Sequence, residues 1–120
     1  MLTLDRTQGI LSNAAGQRFD PAQRSWIEAT ARSGEIVSST EAVSWLQHES
    51  RFPLRTPVAV IGPRDVTLEQ YACAEALGAG LAEMGLAVVC GGRAGVMEAV
   101  CKGVASHKGI CIGILPDADP

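Results

Sequence analysis

Three short apolar, β-branched runs at residues 58–61, 86–90 and 110–115 each stop at a glycine or proline, and two helix-length segments separate them. Runs of this kind suit parallel strands covered on both faces, and parallel neighbours require a long crossover between them. The order is therefore βαβαβ, with right-handed crossovers and the strands in spatial order three, two, one.

Local signals agree with that order. Thr67 followed by Gln70 is a capping box, Val66 and Tyr71 stand at staple positions, and Gly85 stops the helix they open. Leu68, Tyr71, Ala72, Leu77, Leu81 and Met84 supply its apolar face. A second helix spans 96–108 and ends at Gly109. The fold class that follows is α/β, a Rossmann-like parallel βαβαβ half-sheet over residues 57–120, truncated relative to a complete doubly wound sheet.

Residues 1–56 have a different texture, with four of the five aromatics and three of the 13 glycines. Leu2 and Leu4, with turn residues near Gly9, Asn13 and Gly16, predict a loose hairpin. Asp20 before Pro21 reads as an N-cap with proline at the first helical position, and Gly34 as the end of that helix. Ser38 and Glu41 form another capping box, opening a helix through Val43, Trp45 and Leu46. The expectation is a short, helix-rich N-terminal segment of hairpin plus helices.

In an open α/β sheet a ligand sits beyond the carboxyl ends of the strands. Two loops lie there, Gly62-Pro63-Arg64-Asp65 and Gly91-Gly92-Arg93-Ala94-Gly95. Glycines let backbone N–H groups approach an anion, and the helix after Gly95 adds its positive end. Arg64 and Arg93 each follow a strand-ending glycine and suit bidentate phosphate contact. The dinucleotide fingerprint is missing: the first loop holds only Gly62, and the second strand ends in Cys90-Gly91 without a carboxylate.

Val58-Ala-Val-Ile-Gly62, Leu77-Gly-Ala-Gly-Leu-Ala-Glu-Met-Gly85, Val88-Val-Cys-Gly-Gly-Arg-Ala-Gly-Val-Met-Glu-Ala99, Lys102-Gly103 and Gly113-Ile-Leu-Pro116 together resemble the LOG/lysine-decarboxylase-like (SLOG) superfamily. That superfamily includes cytokinin-activating phosphoribohydrolases, molybdenum-cofactor carriers and many uncharacterised nucleotide-binding proteins. The spelling is closest to the carrier-like and uncharacterised branch. The resemblance implies a nucleoside monophosphate or other phosphorylated ligand over Gly62, Arg64, Gly91, Gly92, Arg93 and Gly95, with Met97 and Glu98 opening the helix behind; molybdenum cofactor is the alternative ligand. Glu98 also suits its helix N-terminus electrostatically, and Met97 suits a core plug.

LOG-type enzymes carry Pro-Gly-Gly-x-Gly-Thr-x-x-Glu after a fourth strand, and no such segment occurs in these 120 residues. Asp117 and Asp119 read as a solvated tail. The expectation is a binding protein with no catalytic residue of its own; the alternative is a nucleoside 5′-monophosphate phosphoribohydrolase whose carboxylate lies beyond this chain. A homo-oligomer or a completing chain segment is the expected partner, at the outer edge of the first strand.

Net charge is −3 and no basic run tracks a phosphate backbone, so nucleic acid is not expected. No apolar stretch reaches membrane length, and a cytoplasmic location is expected. Cys73, Cys90, Cys101 and Cys111 lack C-x-x-C or histidine spacing and read as small apolar residues, without disulfide or metal. Ser106-His107 reads as a sequence neighbourhood and not a triad, at a helix C-terminal end away from the ligand side, and His48 reads as exposed.

Overall fold

The computed structural model describes residues 1–29, 33–91 and 94–114. It divides into two units, Met1–Pro53 and Leu54–Pro120, each described by itself below.

The first unit contains β1 (Leu2–Asp5), β2 (Ile10–Ser12), β3 (Gln17–Asp20), β4 (Ser25–Glu28), β5 (Glu35–Val37) and α1 (Ser39–His48). The strands form an antiparallel sheet in the order β4-β3-β2-β1-β5. The hairpin expected near the N-terminus is there, but the helix expected after Pro21 is not. Asp20 and Pro21 instead open a turn: the Asp20 carboxylate accepts from the Ala22 N–H at 3.1 Å, and Arg24 closes the turn with φ 56°. Aspartate then proline serves a turn start as well as a helix start, since both need the same side-chain bond and the same fixed φ. The pairing that decides between them is tertiary: Phe19 lies opposite Trp26, ring centroids 5.3 Å apart and edge-on. Gly34 likewise ends no helix. A Cβ there would stand 2.2 Å from the Leu4 carbonyl oxygen, so glycine is what lets β5 approach β1.

Ser38 starts α1 as expected, its Oγ accepting from the Glu41 N–H at 3.1 Å while the Glu41 carboxylate accepts from the Ser38 N–H at 3.3 Å. This box is worth about 1 kcal/mol. Leu4, Leu11, Val37, Ala42 and Trp45 form the core.

Asp5 ties the β1–β2 loop together, accepting from the N–H groups of Thr7 and Gln8 at 3.0 Å each and from the Ser33 hydroxyl at 2.6 Å. The Ser33 bond, then that of Gln8, hold its carboxyl below the ordinary aspartate range against an opposing desolvation, with the Thr7 bond adding to them. A lowered folded-state pKa contributes stability that is present above the unfolded value and lost as pH falls through the folded one. Urea melts of the first unit are therefore expected to weaken below about pH 4, with a flatter acid limb in Asp5→Asn. Equal acid limbs in the two proteins would contradict this role.

The second unit runs β6 (Val58–Ala59), α2 (Leu68–Glu83), β7 (Val88–Cys90), α3 (Val96–Ser106) and β8 (Cys111–Gly113). The strands are parallel in the order β6-β7-β8, as the sequence predicts. The Thr67 capping box also forms, with bonds of 3.1 and 3.0 Å.

Two expectations about the helices change. The α2 face buried in the unit is Ala74, Gly78 and Leu81, while Leu68 is 92% exposed and Leu77 51% exposed. Small residues take the inner face because α2 and α3 lie almost backbone to backbone. A Cβ on Gly78 would stand 2.1 Å from the Val100 carbonyl oxygen, and one on Gly103 would stand 1.9 Å from that of Glu75. At the end of α3 the left-handed conformation falls on Lys108, φ 57°, and not on Gly109. Gly109 is needed for space, since its Cβ would lie 2.7 Å from that of Ala82.

Among the described residues of this unit, α2 and α3 cover one face of the sheet. Val58, Val60, Val88 and Cys111 join the core with Ala74, Leu81, Val100 and Val104. Alternation sends Ala59, Val89 and Ile112, which lie in one register row, to the other face. There Ile61, Ile110, Ile112 and Ile114 are exposed, so among the described residues of this unit the second face lacks the cover expected of it. Both connections step the same way across the sheet, and right-handed crossovers then place both helices on one side.

Candidate functional site

The loops after β6 and β7 meet at the start of α3. A Cβ on Gly62 would fall 2.6 Å from that of Val96, and one on Gly95 would fall 2.4 Å from the Pro63 carbonyl oxygen and 2.5 Å from that of Arg64. Gly95 also has φ 83° and ψ −133°, a region open essentially to glycine alone. The Val96 N–H donates to the Pro63 carbonyl at 3.2 Å. Packing by itself thus accounts for Gly62 and Gly95. Their further consequence is that α3 begins on a glycine with no side-chain cap. A helix start carries unsatisfied N–H groups and partial positive charge, and among the described residues the Val96 N–H is the one of these with a carbonyl partner in the loop after β6.

Gly91 and Met97 face each other: the Gly91 N–H points at Met97 Sδ at 3.2 Å, and a Gly91 Cβ would lie 2.8 Å from that sulfur. Met97 is half-buried and Arg64 exposed, and among the described residues Arg64 forms no ion pair. Gly92 and Arg93 lie outside the described residues, as do Asp117 and Asp119.

Glu98 is exposed on the first turn of α3, where its Oε1 accepts from the Tyr71 hydroxyl at 3.2 Å. Desolvation, and then the Glu98 carboxylate and Glu75, push the Tyr71 hydroxyl pKa up, so it stays a proton donor at neutral pH. Lys102 stands 5.8 Å from the Tyr71 ring centroid and 3.9 Å from the Glu75 carboxylate. This group bridges α2 and α3 beside the loops, and the sequence reading did not connect Tyr71 with Glu98. The shared position of both residues near the starts of their helices was the available signal.

Two other clusters carry less chemistry. Ser106 Oγ is 3.1 Å from His107 Nδ1, and His107 Nε2 is 3.0 Å from the Glu83 carboxylate. The sequence did not connect Glu83 with them. The hydroxyl donates to the Gly103 carbonyl at 2.6 Å, so its one proton is spent and it meets the imidazole only as an acceptor. In the first unit a cleft of about 330 Å³ is lined by Arg6, Glu41, Ser44, Trp45, His48 and Glu49. Its cation Arg6 is already paired with Glu35 at 3.2 Å and Glu49 at 3.5 Å. His48 is exposed, as expected, and accepts or donates within α1 to Ser44.

The cysteines depart from the sequence reading. Cys101 and Cys111 form a disulfide, Cys90 is a buried thiol 3.3 Å from Cys101 Sγ, and Cys73 is exposed and free. Separations of 11 and 10 residues match no linear motif; a strand, a crossover helix and the adjacent strand bring the three together. Among the described residues, no helix is long and apolar enough to cross a membrane.

The model of the SLOG cluster4 family matches residues 55–120. An uncharacterized protein of Archaeoglobus fulgidus is 41% identical over 59 residues, which are 49% of this chain and 39% of that protein. The chain therefore spans about two fifths of that relative's length. No solved structure matches.

Proposed function

We propose, on the premise that this chain belongs to the SLOG cluster4 family, that its second unit is a Rossmann-like binder of a nucleoside monophosphate or a similar phosphorylated small molecule. Membership bears out the resemblance read from the strand and loop motifs, and it makes a nucleotide-related protein the natural class. The observation that carries the ligand reading is the uncapped start of α3 at Gly95, set where the loops after β6 and β7 converge. Phosphate is the group that such a helix start accepts.

In this reading the phosphate lies over the first turn of α3, at the N–H groups of Met97 and Glu98. Arg64 and Arg93 supply guanidinium groups from the two loops. Glu98, held by Tyr71, limits negative charge from the ligand on that side. The base or pterin portion lies outward along the loops, and molybdenum cofactor fits the same phosphate-first logic. The residues named here supply binding contacts, and cleavage of the glycosidic bond is no part of this reading. Completion of the sheet by a second chain belongs to the same proposal.

At a concentration about tenfold above Kd, AMP is expected to stabilise the second unit by about 1.4 kcal/mol, raising its Tm by about 5–10 °C. The double variant Arg64→Ala/Arg93→Ala is expected to lose that shift, and no free adenine should appear during incubation. An unchanged shift in the variant would leave the loops without a ligand role, and release of adenine would replace the binder with a hydrolase.

A further inference from the structure

Beyond the phosphate loops, three sulfur atoms meet in the second unit. Cys90 closes β7, Cys101 lies in the middle of α3, and Cys111 opens β8. Their Sγ atoms all lie within 4.8 Å of one another. The sheet register explains the convergence. Val88 pairs with Cys111 and Cys90 with Gly113, so Cys90 and Cys111 project to the helix-covered face. Gly113 beside Cys90 adds no side chain there. Cys101 reaches the same spot from α3, giving one donor from each of three elements.

We propose that, when the Cys101–Cys111 disulfide is reduced, Cys90, Cys101 and Cys111 form a three-thiolate site for a soft, thiophilic metal ion, Cu(I) being the ion that fits best. An ion about 2.3 Å from each of three sulfurs sets them about 4 Å apart; Cys90 Sγ already stands 3.3 Å from Cys101 Sγ, and breaking the Cys101–Cys111 bond frees the third sulfur to widen to that spacing. Thiolate donors select soft ions. Among the described residues no histidine or carboxylate joins the cluster, so a zinc ion would lack its fourth protein ligand. Cu(I) is satisfied by three sulfurs in a site where Cys90 is buried.

The chemistry balances with a low-molecular-weight thiol as reductant. Two equivalents cleave the Cys101–Cys111 bond through a mixed disulfide, leaving as their own disulfide and yielding two protein thiols. Binding then displaces thiol protons to solvent as the thiolates ligate the ion. The disulfide and the metal are alternative occupants of the same sulfurs, so the oxidised chain does not bind.

The test uses the full chain, reduced with excess small thiol, desalted without oxygen and titrated with Cu(I) against a chromogenic Cu(I) chelator. The expected result is one equivalent of Cu(I) per chain. Iodoacetamide followed by mass spectrometry should then modify Cys73 while Cys90, Cys101 and Cys111 are protected. The disulfide form should retain none. Cys90→Ser should weaken binding at least about tenfold, and Cys73→Ser should leave it unchanged. The protection pattern of the wild-type chain needs no variant to fold. Alkylation of all four cysteines at the metal-free rate would overturn the site, as would undiminished affinity in a folded Cys90→Ser protein.

Discussion

Gly103→Ala is expected to lower the stability of the second unit by about 3 kcal/mol or more, even though alanine favours a helix interior by about 1 kcal/mol over glycine. The added methyl would stand 1.9 Å from the Glu75 carbonyl oxygen and 2.8 Å from the Ala79 nitrogen. Both are backbone atoms of α2, and no side-chain rotation relieves them. The helices must separate, and Val100 and Val104, fully buried between helix and sheet, then lose their close packing. Gly80 provides the internal comparison. It lies in the same helix pair, yet a Cβ there meets nothing within 4 Å, so Gly80→Ala should raise stability by about 0.5–1 kcal/mol. Urea unfolding followed by far-ultraviolet circular dichroism reads both variants. Equal stability of the two alanine proteins would show that α2 and α3 do not approach through Gly78 and Gly103.

The second large effect concerns association. Ile61 is 88% exposed, Ile110 64% and Ile114 63%, all on the sheet face that neither helix covers. Parallel sheets almost always bury both faces, and covering an isoleucine is worth about 1.5–3 kcal/mol. The chain in isolation is therefore expected to self-associate, two copies bringing these faces together. Sedimentation velocity over a concentration series should show a dimer or larger species that Ile61→Lys/Ile112→Lys shifts toward monomer. The stability of the folded unit should change little, because both positions already face water. A wild-type chain that stays monomeric at the highest concentrations, or a double variant that associates equally, would contradict this.

What was legible in the sequence, and what was not, divides by range of interaction. Ser38 with Glu41 and Thr67 with Gln70 are local capping boxes complete within four residues, and both form where they were read. The βαβαβ order was legible because each apolar run ends on its own breaker and the crossover rules are general. Asp20-Pro21 was misread because its local chemistry serves a turn and a helix start equally; the decision rests on Phe19 meeting Trp26 across a hairpin. The inner face of α2 is legible in part. Tyr71, Leu81 and Met84 join the core as their spacing predicts, whereas Leu68 and Leu77 are exposed and the close approach of α3 favours the small Ala74 and Gly78 between them.

At the candidate site the glycines were legible but their immediate reasons were not. Gly62 and Gly95 make room for one loop against another, a contact no spacing rule reveals. The Cys90, Cys101 and Cys111 cluster and the Tyr71–Glu98 bond are products of two crossovers. Each becomes visible only once parallel register sets β7 beside β8 and α2 beside α3.

In the proposed function the start of α3 receives the phosphate of a nucleotide. The most direct measurement of this is a titration of isotope-labelled protein with AMP, and in parallel with adenosine, following the backbone amide resonances of Val96, Met97 and Glu98. Saturable shifts of Met97 and Glu98 are expected with AMP and none with adenosine, while Val96, already donating to Pro63, moves less. Equal shifts with both ligands, or shifts confined to residues away from α3, would contradict that placement.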